Sequence, residues 1–140
     1  MSDKAFVDTN VLVYLFDGRT PAKQRRAGEL LLRLAKAADA PVVSTQVLQE
    51  AYSALTRKLG MDPREALDAL KMLEDTSFTV QPVDVPLIWR GAQRSIDDRI
   101  PFWDGLIVES ASEAGCTLLY SEDMQDGRSF GNVTVRNPFN

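Results

Sequence analysis

Four acids stand where this chain could do chemistry. Asp8 follows the apolar run Ala5-Phe6-Val7, and Asp123 follows Thr117-Leu118-Leu119-Tyr120 after Ser121 and Glu122. Glu50 and Asp104 each fall about a turn into a helical pattern. Gathered in one crevice, four carboxylates repel each other, and each proton affinity rises unless a cation sits among them. Hard divalent ions with oxygen ligands, Mg²⁺ or Mn²⁺, are the natural counterpart. The chain contains no histidine. That excludes Ser-His-Asp and Cys-His nucleophiles, His-ligated zinc and imidazole acid–base catalysis. Phosphodiester hydrolysis is the chemistry that such a set supports, with a metal that acidifies a water and stabilises charge on the phosphate. Thr9, Asn10 and Ser121 are the polar neighbours placed to orient ligands or waters.

The elements around these residues explain how they could meet. Apolar residues stop at Asp8-Thr9-Asn10 and resume at Val11, Leu12, Val13, Leu15 and Phe16. This reads as a buried parallel strand, a turn, and a helix capped by Asn10. Ala27, Leu30, Leu31, Leu34, Ala35 and Ala38 form a helical stripe between Pro21 and Pro41. Pro41-Val42-Val43-Ser44 is a second short strand. A helix follows with Leu48, Ala51, Tyr52, Leu55 and Leu59 on its packing side, and Gln46, Glu50, Ser53 and Arg57 on its polar side. Gly60 ends that helix, and Asp62-Pro63-Arg64-Glu65 restarts one with a cap acid, a proline and a glutamate three residues on.

Phe78-Thr79-Val80 is a third strand. Asp84 opens a helix expected to turn Val85, Ile88, Ala92 and Ile96 inward. The next helix carries Trp103, Leu106, Ile107, Ala111 and Ala114 at packing positions. Gly127 to Gly131 reads as a loop before a last strand at Val133-Thr134-Val135. Alternating strands and helices predict an α/β fold with a mainly parallel sheet. Crossover connections put strand carboxyl ends on one edge, where ligands of such sheets bind. Asp8, Asp123 and Glu50 are drawn there by topology, Asp104 less so.

Composition sets the outer bounds. The 140 residues fit one domain, expected over 1–140, with no run long enough for a membrane span and no signal-peptide pattern. One cysteine, Cys116, excludes an internal disulfide framework and makes the cytoplasm the default location. A net charge of −4 argues against a generic basic nucleic-acid binder, though not against a nuclease whose acids hold cations. Arg19, Lys23, Arg25 and Arg26 crowd a helix start, where positive charge opposes the macrodipole. They are either a solvated face or, with Arg57, contacts to a phosphate backbone. Asp126 is either a further acid near the site or a loop residue.

Asp8-Thr9-Asn10-Val11-Leu12, Glu50, Asp104 and Ser121-Glu122-Asp123, in this order, resemble the acidic quartet of PIN-domain ribonucleases. The spacing, and the closing Val135-Arg136-Asn137-Pro138-Phe139, are similar to the VapC toxins of bacterial toxin–antitoxin pairs. The resemblance implies a three-layer α/β/α fold and a Mg²⁺- or Mn²⁺-dependent endoribonuclease with Asp8, Glu50, Asp104 and Asp123 as metal-binding acids. It also implies a homodimer and a small antitoxin that blocks the site. A phosphatase of the haloacid dehalogenase type wants an aspartate where Asn10 stands. A response-regulator receiver wants an acid after the third strand, where Val80-Gln81-Pro82 has none. The remaining alternative is a PIN-like module that binds RNA or protein without cutting.

Overall fold

The computed structural model describes residues 3–140. Its elements run β1 (Ala5–Val7), α1 (Thr9–Tyr14), α2 (Pro21–Ala35), β2 (Val42–Ser44), α3 (Thr45–Arg57) and α4 (Pro63–Thr76). They continue as β3 (Thr79–Gln81), α5 (Val85–Asp98), α6 (Phe102–Glu113), β4 (Leu118–Tyr120), β5 (Ser129–Phe130) and β6 (Val133–Arg136). The strands form one sheet in the order β3-β2-β1-β4-β6-β5, and every pairing is parallel except β5 with β6. This is the mainly parallel α/β architecture that the alternation predicts.

The central strands are apolar on both faces because helices cover both. Phe6, Val7, Val42, Val43 and Leu119 are completely buried. The strand order reverses at β1, whose neighbours are β2 and β4. A crevice therefore opens beyond its carboxyl end, where the crossovers part to opposite sides. A smaller apolar cluster of Ala51, Leu55, Ala66 and Leu70 holds α3 against α4, with Phe16, Leu59 and Met61 packed on it.

Three expectations change. The stretch Gly127–Gly131 is not a plain loop, since Ser129–Phe130 pairs with β6 as a short hairpin strand. Helix α1 is capped by Asp8, not Asn10: the Asp8 carboxylate accepts from the Thr9 N–H. Helix α5 is rotated relative to its apolar stripe. Val85, Trp89 and Ile96 are exposed, as is Trp103 at the start of α6, while Leu87 and Gly91 are buried. Glycine explains the rotation. A Cβ on Gly91 would stand 2.9 Å from the Leu106 Cα, and one on Gly105 would stand 2.6 Å from the Gly91 carbonyl oxygen. Two bare backbones let α5 and α6 touch along a face with little hydropathy signal.

Candidate active site

The carboxyl end of β1 places Asp8. The Asp8 N–H donates to the Tyr120 carbonyl at 2.9 Å, which continues the β1–β4 ladder to the point where both strands end. The side chain is then turned into the protein, 6% exposed. Its Oδ1 accepts from the Thr9 N–H at 2.7 Å. Its Oδ2 accepts from the Ser121 hydroxyl at 2.8 Å and from the Asn10 amide at 3.3 Å. Ser121 leaves β4 just as Asp8 leaves β1, so the shared edge supplies both acid and hydroxyl.

Asn10 ties the second acid to the first. Its Nδ2 also donates to Asp123 Oδ2 at 3.1 Å, and its Oδ1 accepts from the Glu122 N–H at 3.1 Å. Thr9 secures the third: its hydroxyl donates to Glu50 Oε1 at 3.1 Å. Glu50 comes into reach because Ser44 ends β2 and caps α3, its hydroxyl accepting from the Val47 N–H at 3.2 Å. Asp104 arrives through α6, in the first turn beyond Pro101. Asp8, Glu50, Asp104 and Asp123 line one cavity of about 460 Å³, with Thr9 and Asn10. Ser121 lies fully buried behind Asp8.

Electrostatics follow from this placement. Burial pushes the Asp8 carboxyl up to about 6, against the pull of the Ser121 and Thr9 bonds and with help from the Asp123 and Asp104 charges. Burial also raises Asp104, and Asp123 adds to the shift. As the side chains stand, no three of them form a ready ligating cluster among the described residues. Asp8, Glu50 and Asp123 are each held toward hydrogen-bond donors of the protein, and like charges favour separation.

Several lining residues carried no separate signal in the sequence. Gln46 is buried, and its Nε2 donates to Glu50 Oε1 and to the Trp103 carbonyl, both at 3.4 Å. Its Oε1 has no partner among the described residues. Two acceptors on one side fix the orientation of that amide. Along α3 the lining residues are Gln46, Glu50, Ala54 and Lys58, so the inward stripe runs to Lys58 and not to Ser53 and Arg57. Glu122 also lines the cavity, bound by Lys23 and by the Tyr14 hydroxyl at 2.7 Å. Burial pushes Glu122 up, but those two donors outweigh it and hold the carboxyl below its ordinary value.

The candidate RNA contacts scatter. Arg19 lines the cavity but is paired with Asp17 at 2.9 Å. Lys23 is engaged with Glu122, and the Arg26 guanidinium donates to the Asn140 carbonyl at 3.3 Å. Arg25, Arg26 and Arg57 do not line the cavity. Asp126 is occupied elsewhere, accepting from the Asn137 N–H at 2.9 Å and from the Asn140 amide at 3.3 Å.

The PIN domain family profile matches residues 5–126, a span that contains all four acids. No curated protein matches by sequence. Among solved structures, VapC20 of Mycobacterium tuberculosis, described as a Sarcin-Ricin loop cleaving toxin, is 22% identical with a TM-score of 0.64. That match covers 86% of this chain and 90% of VapC20. A toxin–antitoxin complex from Klebsiella pneumoniae gives 18% identity and a TM-score of 0.71, covering 96% of this chain and 98% of the other. VapBC2 from Rickettsia felis, solved with a DNA fragment of its promoter, gives 16% and 0.69, covering 95% and 97%. At these identities the likeness is one of fold.

Proposed function

Because this chain belongs to the PIN domain family, we propose that it is a metal-dependent endoribonuclease, the toxin of a toxin–antitoxin pair, working as one nuclease domain over residues 1–140. The observation that carries the reading is the convergence of Asp8, Glu50, Asp104 and Asp123 on one cavity at the sheet's switch point. The donor set fits a hard divalent cation. It is all oxygen and anionic, and burial, with repulsion from neighbouring acids added, already raises Asp8 and Asp104.

In this mechanism Asp8, Glu50, Asp104 and Asp123 would hold Mg²⁺ or Mn²⁺, which would supply an acidified water and charge stabilisation for phosphodiester hydrolysis. The chain's own residues prepare the ground. Ser121 and the Thr9 N–H fix the Asp8 carboxylate and favour its charged form, partly offsetting the burial that raises its proton affinity. Asn10 sets the direction of Asp123 relative to Asp8. Thr9 and Gln46 aim Glu50. These bonds act as an outer layer that orients ligands before the metal binds.

The substrate in this reading is RNA, and the partner is a small antitoxin that blocks the cavity. A homodimer is part of the reading, supported by the exposed apolar side chains Val85, Trp89 and Ile96 along α5. The proposed location is the cytoplasm; among the described residues no helix is long and apolar enough to cross a membrane. A second reading is a silent PIN-like module that binds RNA or protein without cutting.

The two readings part in an RNA-cleavage assay on purified, antitoxin-free protein with total cellular RNA. The reactions contain Mg²⁺, Mn²⁺ or EDTA, with Asp8→Asn alongside. The nuclease reading expects discrete fragments that require metal, and a rate reduced about 100-fold or more by Asp8→Asn. Binding of Mg²⁺ with no cleavage in either metal would establish the silent module instead.

A further inference from the structure

Two exposed residues of the cavity have no evident structural task. Trp103 is 60% exposed, immediately before Asp104. A solvent-facing indole forgoes most of the burial that large aromatic side chains ordinarily gain. Yet its position is well fixed. Its carbonyl accepts from Gln46, and its ring meets Phe102 edge-on at 4.9 Å between centroids. Lys58, the C-cap of α3, lines the same side of the cavity eight residues beyond Glu50, or about 12 Å along the helix axis. Lys58 makes no ion pair among the described residues, whereas Arg19 and Lys23 are each committed to an acid.

The cavity therefore has an acidic end flanked by an upright aromatic ring, and a distant end with an uncommitted ammonium. We infer that Trp103 is a base-stacking residue and Lys58 a backbone-phosphate contact, two substrate-positioning roles outside the acidic quartet. The inference rests on the ribonuclease reading above. A base has a π-face only when it is unstacked from its neighbours, and proteins take such bases on tryptophan and tyrosine rings. Set two helical turns along from Glu50, Lys58 is placed for a different phosphate of the same strand from the one at the acids. The charge pattern agrees: a cation bound at the acids and an ammonium at the far end complement an anionic backbone, while the intervening Ala54 leaves the floor clear.

The test uses the full chain. Trp89→Phe leaves Trp103 as the one indole of the two that the chain carries. Its fluorescence is followed with Mg²⁺ present, while a cleavage-resistant 2′-O-methyl phosphorothioate hexanucleotide of mixed sequence is titrated in. Anisotropy of a labelled strand reports binding independently. The expected result is saturable quenching by the single strand, with the matching duplex binding at least about 10-fold more weakly. Trp103→Ala then lowers affinity roughly 10- to 100-fold, and Trp103→Phe keeps most of it. Lys58→Gln flattens the slope of log affinity against log salt by about 0.7.

The inference is overturned if Trp103→Ala binds the strand as the parent does, or if the duplex is preferred. It is also overturned if Trp103→Ala changes the sedimentation coefficient of the RNA-free protein, which would make the indole a protein contact. Cleavage by the parent alongside unaltered binding by Trp103→Ala would defeat this inference and leave the ribonuclease reading intact. Binding through Trp103 without cleavage in any metal would do the reverse.

Discussion

Two acid-rich regions of this molecule treat their charges in opposite ways. On the α5–α6 face, Arg94 lies between Asp98 at 3.0 Å and Glu109 at 2.9 Å, and Arg90 reaches Glu113 at 3.0 Å. Every acid named there has a guanidinium. At the carboxyl edge of the sheet, Asp8, Glu50, Asp104 and Asp123 have no salt-bridge partner among the described residues, and Asp8 is more buried than any acid of the first group. A chain that pairs its partly buried acids on one face but leaves its most buried one unpaired on another is carrying an electrostatic penalty at the second. The contrast separates charges that hold helices together from unpaired charges, which the proposed function assigns to a ligand. Glu122 marks the border, since it lines the cavity yet is neutralised by Lys23.

The comparison predicts that stability and pH are coupled at the edge of the sheet. Between about pH 4 and pH 6 the unfolded chain loses the Asp8 proton while the folded chain, with Asp8 raised to about 6, keeps it. The metal-free protein therefore loses stability as pH rises through that window, by on the order of 3 kcal/mol when complete. Asp8→Asn removes this component. Urea unfolding of both proteins in EDTA at several pH values measures it, and parallel pH profiles would remove the special status of Asp8.

Next in size is Gly105→Ala. The added Cβ falls 2.6 Å from the Gly91 carbonyl oxygen, so α6 must shift, at about 1–3 kcal/mol of overpacking. Asp104 precedes the clash directly. RNA cleavage is expected to fall further than the loss of folded protein explains. Activity that tracks the folded fraction alone would mean that α6 accommodates the methyl group without moving Asp104.

The paired face supplies the smaller effects. Arg94→Gln leaves Glu109 and Asp98 without their shared cation and should lower stability by about 1 kcal/mol, with cleavage per folded molecule unchanged. Arg64→Ala opens a 3.8 Å pair with Asp68 that is exposed on both sides, and should change stability by less than about 0.5 kcal/mol. Thermal unfolding and an RNA-cleavage assay on the same preparations check both. A loss of cleavage in Arg94→Gln would break the division between the two regions.

Much of the site could be read without coordinates because strand ends announce themselves. Ala5-Phe6-Val7 stopping at Asp8, and Thr117–Tyr120 stopping at Ser121, mark two parallel strands whose carboxyl ends must share an edge. Glu50 follows from the same rule one crossover away. What could not be read depends on helix rotation and on side chains that choose among several donors. The apolar stripe of α5 pointed Val85 and Ile96 inward, but Gly91 and Gly105 turn a different face to α6. Asn10 looked like a cap, but with Asp8 taking the cap it is free to bridge two acids.

The sequence by itself determined the parallel α/β fold, the edge where its polar residues gather, and the exclusion of imidazole chemistry in a chain without histidine. Those depend on local periodicity, chain direction and residue type, all of which are written along the chain. The tertiary structure alone decided that Asp104 reaches that edge, that Lys23 withdraws Glu122 while Lys58 stays uncommitted, and that Trp103 faces solvent beside the acids. Those depend on how closely two helices approach and which charge reaches which first, and such long-range distances leave no trace in the spacing of residues along one helix.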